Sequence, residues 1–286
     1  MCDNNKITSF SINQCPALKE LRIQGNQLTS LDVSKCGALE LLAVGYNQLT
    51  GLIIGSNSCL TTLGCESNQL ASLIIGSCPA LTTLSCYSNQ LSSLDISNCS
   101  ALATLSCSKN QFTALDFSNN ATLSHLSCGY NPLISLIING CSALAELECS
   151  HTQLPYLDAR GLKFLKTLSC NFNPTEILDV SDDTALTELN CHDSQLKSIN
   201  VNGCVSLSTL YCTANQIISL DVSSCASLVT LYCDMNELTT LDVSNNLALN
   251  QLSCLSNRYL KEIWLKTGQT IQWLRYNENV TTIKYK

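Results

Sequence analysis

The chain has 286 residues, of which 45% are hydrophobic and 13% charged, enough apolar material for one extended folded domain. Its net charge of -7 argues against a nucleic-acid-binding function, because such proteins present a basic surface. No apolar run reaches the roughly 18 residues that a membrane-spanning helix requires, and no signal peptide opens the chain.

The dominant feature is a repeat of 21 residues that runs along almost the whole chain. Asparagine holds the reference position in most copies, and threonine or serine holds it in two. These reference residues are Asn5, Asn26, Asn47, Asn68, Asn89, Asn110, Asn131, Thr152, Asn173, Ser194, Asn215, Asn236 and Asn257. A period this regular predicts one structural unit copied along an axis, each copy burying its apolar face against its neighbours.

Each copy consists of two similar halves. Leucine stands eight and five residues before the reference position, and an unbroken cysteine series from Cys65 to Cys254 stands three residues before it. Leu28, Leu31 and Val33 repeat the same spacing in the second half. The alternation of buried and exposed positions predicts a short strand in each half. We therefore predict two parallel sheets back to back, with neighbouring strands about 4.8 Å apart and little helix.

The pattern L-x-x-L-x-C-x-x-N-x-L-x-x-L-D-V-S-x-C resembles that of the leucine-rich repeat proteins, in particular a short bacterial subtype with a nested half-repeat. The resemblance covers residues 2 to about 257 and implies a β-rich solenoid, a right-handed superhelix whose strand face binds proteins or other macromolecules. It also implies a secreted or cell-surface location. No catalytic motif comes with the resemblance, and we expect neither an enzyme nor a cofactor.

We predict two regions along the chain. Residues 1–257 form the repeat array, about 12 turns that start inside a repeat, because Cys2 and Asn5 already hold repeat positions. We expect an upstream segment that carries an export signal or a lipid anchor. Residues 258–286 form a C-terminal capping segment, in which the register shifts by one residue and two extended segments (271–276 and 280–285) close the last turn.

The chain contains 19 cysteines, which we predict to be buried thiols that fill the interior. Parallel strands in register point these side chains the same way, whereas a disulfide needs converging Cβ atoms about 3.8 Å apart. Metal sites commonly use C-x-x-C pairs, and the sequence has none. We therefore expect neither disulfides nor a metal site.

Aspartate recurs six residues after the reference position, at Asp32, Asp95, Asp116, Asp158, Asp179, Asp221 and Asp242. Where isoleucine replaces it, the serine two residues later is also lost, as in Ile53 with Gly55. This joint change predicts a local bond from the carboxylate to the serine or the backbone. A row of cation sites is the alternative, but one carboxylate in each turn supplies too few oxygens for calcium.

The candidate binding surface lies on the strand face of the later copies. Residues four, two and one before the reference position should face solvent there, and they become aromatic, acidic and imidazole-bearing. The candidate residues are Tyr211, Tyr232, His192, Phe172, Asp234, Met235, His151, Glu148 and Asn190. Tyr211 and Tyr232 hold the same position on adjacent turns and should stack, which is typical of a recognition surface. The alternative is a tyrosine ladder that only stiffens the sheet.

His192 and Asp193 are neighbours in a predicted strand, so we expect them to point to opposite faces and to form no catalytic dyad. The sequence therefore predicts a non-enzymatic module of a bacterial surface or secreted protein that binds a protein or carbohydrate ligand and no nucleic acid. We expect the chain to be a monomer. The alternative is a structural spacer or stalk in a larger envelope protein.

Overall fold

The computed structural model describes residues 2–12 and 15–286, and every regular element in these residues is a β-strand. The described chain therefore holds no helix that could cross a bilayer. Two units are distinguished. The first comprises Met1–Leu115 with Asn119–Leu133, and the second comprises Asp116–Ser118 with Ile134–Lys286.

Most strands are three residues long, because each occupies only part of a 21-residue turn. In chain order they are β1 (Glu20–Arg22), β2 (Ser30–Asp32), β3 (Leu41–Ala43), β4 (Gly51–Ile53), β5 (Thr62–Gly64), β6 (Thr83–Ser85), β7 (Thr104–Ser106), β8 (Ala114–Asp116), β9 (His125–Ser127), β10 (Ser135–Ile137), β11 (Glu146–Glu148), β12 (Leu157–Asp158), β13 (Thr167–Ser169), β14 (Ile177–Asp179), β15 (Glu188–Asn190), β16 (Ser198–Asn200), β17 (Thr209–Tyr211), β18 (Thr230–Tyr232), β19 (Thr240–Asp242), β20 (Gln251–Ser253), β21 (Glu262–Leu265), β22 (Trp273–Arg275) and β23 (Thr282–Tyr285).

The first strand of each turn builds a parallel sheet in both units. In the first unit the order is β1-β3-β5-β6-β7-β9, and in the second it is β11-β13-β15-β17-β18-β20-β22. Facing residues are one repeat apart, as in Leu21 with Leu42 and Leu189 with Leu210. The central leucine of each strand is buried, so both units are the predicted parallel β-solenoids.

The second halves of the repeats form the other side of the turns, and they pair into a sheet only in some turns. In the first unit β2 pairs with β4, and in the second unit β12-β14-β16 and β19-β21-β23 form separate parallel sheets. Residues 72–74, 93–95 and 219–221 hold the same place in their turns without an assigned strand. Leu73 and Leu220 are nevertheless buried there. Apolar burial thus continues where the ladder of backbone hydrogen bonds does not.

The reference asparagines join each turn to the one before it. The Asn215 side-chain amide donates to the carbonyl oxygens of Cys191 in the preceding turn and Cys212 in its own, both at 3.0 Å. Its Oδ1 accepts the backbone N–H of Leu196 at 3.0 Å. The same donation to the preceding turn is made by Asn26, Asn47, Asn68, Asn89, Asn110, Asn131, Asn173, Asn236 and Asn257. These side chains satisfy backbone groups that the tight turns would otherwise leave buried and unpaired.

The cysteines are interior side chains, as the register predicts. Sixteen of the 19 are buried, Cys2 is half-buried, and Cys15 and Cys59 are exposed. None of them is in a disulfide bond. Burial raises the pKa of the Cys86 and Cys170 thiols to about 12, because the thiolate would lose its hydration in the apolar interior. These thiols therefore behave as small apolar groups at neutral pH.

The recurring aspartates form the predicted local bonds. Asp95 Oδ1 accepts the Ser97 backbone N–H at 2.9 Å, and Asp116 Oδ1 accepts that of Ser118 at 2.8 Å. The backbone hydrogen bond lowers the pKa of each carboxyl group, since it stabilises the ionised form. The described residues contain no group of three or more side chains arranged to hold a metal ion.

The last turns depart from the 21-residue register. Leu252 of β20 faces Leu274 of β22, and Leu241 of β19 faces Ile263 of β21, so both pairs are 22 residues apart. Ile263 then faces Ile283 of β23, only 20 residues further on. Residues 258–286, predicted to cap the array, thus add strands to both sides of the second unit.

Asp183 is a fully buried carboxyl group at a position that most other turns fill with cysteine or asparagine. At the equivalent Asn246, the side-chain amide donates to the Val222 and Cys225 carbonyl oxygens at 2.9 and 2.8 Å. A carboxylate cannot make such a donation. Burial raises the pKa of Asp183 to about 7, so the group keeps its proton in the folded state at mildly acidic pH.

We expect Asn215→Ala to lower the free energy of unfolding by about 3 kcal/mol, because it leaves the Leu196 N–H and the Cys191 carbonyl oxygen without their partner. Urea denaturation would measure the change. The exposed Asn245 provides the matched control, since its replacement by alanine removes the same amide from the surface. Equal effects of the two substitutions would contradict the role of the asparagine hydrogen bonds.

Titration of the native chain with a thiol-specific reagent such as dithionitrobenzoate should modify Cys15 and Cys59 rapidly and Cys2 more slowly. The buried thiols should react only after denaturation, because both solvent access and thiolate formation are suppressed. Absorbance of the released chromophore counts the reactive groups. In Cys15→Ser/Cys59→Ser the rapid phase should disappear, and modification of more than three thiols in the native chain would contradict the structure.

Asp183→Asn should stabilise the fold at pH 7 to 8 by on the order of 2 kcal/mol. The folded-state pKa of about 7 lies above the ordinary value of 3.8, so Asp183 lowers the stability as pH rises between these values. Below pH 4 both states are protonated and the difference should vanish. Urea denaturation across this pH range gives the comparison, and Asp182→Asn, at an exposed neighbour, should show no such dependence.

Candidate functional site

The candidate residues lie on the first sheet of the second unit and in the turns that follow its strands. Asn190, Tyr211 and Tyr232 are the last residues of β15, β17 and β18, and the sheet register places them side by side on consecutive turns. All three are half-buried rather than fully exposed. The strand face therefore presents ring faces and edges, with the lower part of each side chain packed against its neighbours.

The residue just before each reference position adopts a left-handed backbone conformation. The φ values are 54° for His151, 56° for Phe172 and 54° for Met235. This conformation is unusual outside glycine and turns the side chain outward at the edge of the sheet. Phe172 and Met235 are accordingly 40% and 58% exposed. The tight turn, rather than the strand, thus presents these large side chains.

Tyr211, Tyr232 and Trp273 form a continuous set of rings, named here the aromatic row. The Tyr211 and Tyr232 ring centroids are 5.3 Å apart with planes inclined by 55°, so the rings touch but are not stacked in parallel. The Trp273 ring lies 5.4 Å from Tyr232 at 45°. The Arg275 guanidinium lies 5.5 Å from the Trp273 ring centroid. The row ends in a cation held against an aromatic face.

The Tyr232–Trp273 contact passes over β20. Ser253 on this strand faces Tyr232 and is small, which leaves room for the two rings to meet above it. Gln251 on the same strand accepts a hydrogen bond from the Tyr232 hydroxyl at 2.8 Å. The position of Tyr232 is thereby fixed by a hydrogen bond as well as by ring contacts.

A second group, named here the histidine cluster, consists of His151, Phe172, His192 and Asp193. The His151 and Phe172 rings are stacked, with centroids 4.2 Å apart and planes inclined by 15°. His192 meets the Phe172 ring edge-on at 5.0 Å. His192 Nδ1 lies 2.8 Å from Asp193 Oδ2.

The expectation that His192 and Asp193 point to opposite faces is therefore wrong. Strand β15 ends at Asn190, and Asp193 has a φ of 49°, so the alternation of a strand no longer applies at these residues. The left-handed turn brings the two side chains to the same side. A His–Asp contact results where the strand pattern excluded one.

Two further candidate residues, Asp234 and Glu148, accept hydrogen bonds from neighbouring residues of the protein. Asp234 Oδ1 accepts hydrogen bonds from the Ser253 hydroxyl at 2.5 Å and the Leu255 backbone N–H at 2.7 Å. Glu148 Oε1 accepts the Ser150 backbone N–H at 3.0 Å. These two carboxylates therefore help to hold turns in place. Asn190 differs from them, because its Oδ1 is shielded from solvent and accepts no hydrogen bond within the described residues.

Ser194 does not complete a Ser–His–Asp site with His192 and Asp193. Ser194, the nearest hydroxyl in sequence, donates to the carbonyl oxygen of His192 at 3.4 Å and accepts the Asn173 backbone N–H at 3.5 Å. A Ser–His–Asp site needs the serine hydroxyl to be hydrogen-bonded to the imidazole instead. The arrangement of rings, amides and charges is suited to non-covalent recognition.

Sequence reasoning missed Trp273, Arg275 and Gln251 as parts of this surface. The one-residue shift after Asn257 moves Trp273 and Arg275 off the 21-residue register, so both fall in the predicted capping segment. The signal available was the offset itself, because Leu274 restores the buried leucine position at a spacing of 22. With that offset Trp273 aligns with Gln251, on the sheet that carries Tyr232.

No protein-family model matches this chain, and no curated protein matches it. Solved structures do. The functional domain of InlJ from Listeria monocytogenes, described as including a cysteine ladder, is 31% identical to this chain, with a TM-score of 0.63. That match covers 93% of this chain and 72% of the InlJ chain.

Two further bacterial structures share the fold at lower identity. YopM, a leucine-rich effector protein from Yersinia pestis, is 23% identical with a TM-score of 0.68, covering 94% of this chain and 82% of that one. A leucine-rich repeat protein of Leptospira interrogans is 19% identical with a TM-score of 0.63, covering 93% and 84%. Together with the repeat pattern and the hydrogen-bonded asparagines, the match to InlJ establishes the relationship: the chain belongs to the leucine-rich repeat family.

Proposed function

We propose that this chain is a non-enzymatic binding module of a bacterial surface or secreted protein and that it holds its ligand on the aromatic row. The observation that carries the proposal is the continuous contact of Tyr211, Tyr232 and Trp273, with Arg275 against the last ring. Tyrosine, tryptophan and arginine are the residue types that contribute most to protein interfaces. The relationship to InlJ supports the bacterial setting.

Two features favour a protein ligand over a glycan. The rings of the aromatic row are inclined to each other by 55° and 45°, so they make wedge-shaped spaces rather than one flat platform. Side chains of a protein fill such spaces, whereas a chain of sugar rings stacks best on coplanar faces. Met235, 58% exposed beside this surface, adds an adaptable apolar side chain that suits a protein partner.

The aromatic row is held in place before any ligand arrives. The Tyr232 hydroxyl is hydrogen-bonded to Gln251, and the tyrosines contact one another on rigid neighbouring strands. Few side-chain rotamers remain to be ordered when a partner binds. A rigid aromatic surface therefore loses little conformational entropy on association.

The test uses the full chain on arrays of purified extracellular proteins and of glycans. For each ligand bound, Tyr211→Ala/Tyr232→Ala should weaken the affinity at least tenfold, because truncation of central aromatic residues commonly costs about 2 kcal/mol or more. Surface plasmon resonance measures the change. Tyr156→Ala is the matched control, since Tyr156 is a 55% exposed tyrosine of the same unit that immediately precedes β12 on the second side.

Equal binding by the native chain and the double variant, with both folded by circular dichroism, would contradict the proposal. A native chain that binds nothing on either array would instead favour the spacer or stalk role. Preferential loss of glycans over proteins would reverse the choice of ligand class.

A further inference from the structure

A buried carboxylate lies on the strand face of the first unit, in a region that the aromatic row does not include. Glu66 is only 8% exposed. Its Oε1 accepts a hydrogen bond from the Gln24 side-chain amide at 3.2 Å, across an intervening turn. Its Oε2 is shielded from solvent and accepts no hydrogen bond from the described residues. A shielded carboxylate oxygen without a donor is costly and calls for an explanation.

Two glycines allow Glu66 to lie flat on the sheet. A Cβ added at Gly45 would lie 2.4 Å from Glu66 Oε1, and one added at Gly64 would lie 3.1 Å from Oε2. The first distance is an impossible contact and the second a very close one. Gly64, the last residue of β5 in the same turn, and Gly45 in the preceding turn therefore leave the space in which this carboxylate lies.

A pair of tyrosines spans the turn that carries Glu66. The Tyr46 backbone N–H donates to the Glu66 carbonyl oxygen at 2.9 Å, and the Ser67 N–H donates to the Tyr87 carbonyl oxygen at 2.9 Å. Tyr46 and Tyr87 thus stand on the turns on either side. Their hydroxyl oxygens are 2.6 Å apart. The hydrogen bond to Tyr46, burial and the nearby Glu66 charge all raise the pKa of Tyr87, to about 12.

No cation of the described residues is paired with Glu66. Arg22, on β1 two turns earlier, lies 3.6 Å from Glu20. What the Glu66 carboxylate lacks is a positively charged group that also donates a hydrogen bond, and such a group forms the strongest pairs with a carboxylate. Two tyrosine rings beside it would add cation–π attraction.

We propose that Glu66, Tyr46 and Tyr87 form a closed site for an arginine or lysine side chain presented by a partner protein. When the Tyr46 and Tyr87 hydroxyls separate, the partner's arginine or lysine side chain can enter between the two rings. Its N–H groups then reach the Glu66 carboxylate. Arginine fits better than lysine, because its planar guanidinium stacks on rings and donates in a fork. This site belongs to the first unit, and its test is independent of the test of the aromatic row.

The probe is N-acetyl-arginine methylamide, titrated into the full chain carrying ring-labelled tyrosine. Nuclear magnetic resonance should show the Tyr46 and Tyr87 ring signals shifting with a Kd on the order of millimolar, while those of Tyr211 and Tyr232 stay in place. The lysine analogue should bind more weakly by the same signals. Tetramethylammonium, a cation without N–H donors, should bind at least tenfold more weakly than the arginine probe.

Three variants test the roles of the parts. Glu66→Gln keeps the shape and the bond to Gln24 but removes the charge, and should weaken probe binding at least tenfold. Gly45→Ala keeps the charge but displaces the carboxylate, and should have a similar effect. Tyr87→Phe keeps the ring but frees Tyr46, and should tighten binding several-fold, since no hydroxyl pair must separate.

Glu40→Gln is the charge-matched control, because it removes one carboxylate from the same unit at a site already paired with Lys19. It should leave probe binding within twofold. The proposal is overturned if folded Glu66→Gln binds the arginine probe as well as the native chain does. It is equally overturned by shifts confined to other tyrosines or by the absence of any shift at tens of millimolar probe.

Discussion

The rest of the structure depends on the hydrogen bonds of the asparagine in the turn that follows the first strand of most repeats. Its side-chain amide donates to carbonyl oxygens of its own turn and of the preceding one, and its oxygen accepts a backbone N–H of the preceding turn. No other side chain of similar size offers both donors and acceptor in this geometry. Thr152 and Ser194 replace it in two turns and make fewer such bonds. The asparagines of the neighbouring turns maintain the 21-residue repeat through the turns of Thr152 and Ser194.

The same constraint creates the surfaces proposed for binding. To reach the carbonyl oxygens, the chain turns sharply at the preceding residue, which takes a left-handed conformation in turn after turn. That residue points outward and is free to vary, and Tyr46, Phe172 and Met235 all occupy it. Structure and recognition are therefore coupled. The recurring hydrogen bonds lie inside, and the variable side chains lie beside them at a regular spacing.

Much of the fold followed from the sequence because its causes are local and repeated. The leucine spacing, the inward cysteines and the aspartate–serine bond each depend on contacts within one turn or with the same position in the next. The failures have a different origin. His192 and Asp193 meet because of a backbone angle that no periodicity reveals. Trp273 joins the aromatic row through a single-residue offset between turns.

The candidate sites were harder to predict than the fold, since they arise from side chains on different turns. Tyr211 and Tyr232 were found because they share one repeat position, yet their 55° inclination depends on how each ring packs. Nothing in the repeat pattern of the sequence distinguishes Glu66 as a site residue. Its burial depends on glycines in two adjacent turns and on a glutamine 42 residues away, a combination visible only when the turns are stacked.

The many buried thiols determine what happens to the protein after it unfolds. While the chain is folded, oxidants reach few of its sulfur atoms, and the high thiol pKa values keep the others unreactive. Once it unfolds in an oxidising medium, thiols spaced along a flexible polymer can cross-link in many arrangements that the solenoid cannot accommodate. Unfolding then becomes irreversible, and the lifetime of the protein is set by its rate of opening rather than by its equilibrium stability.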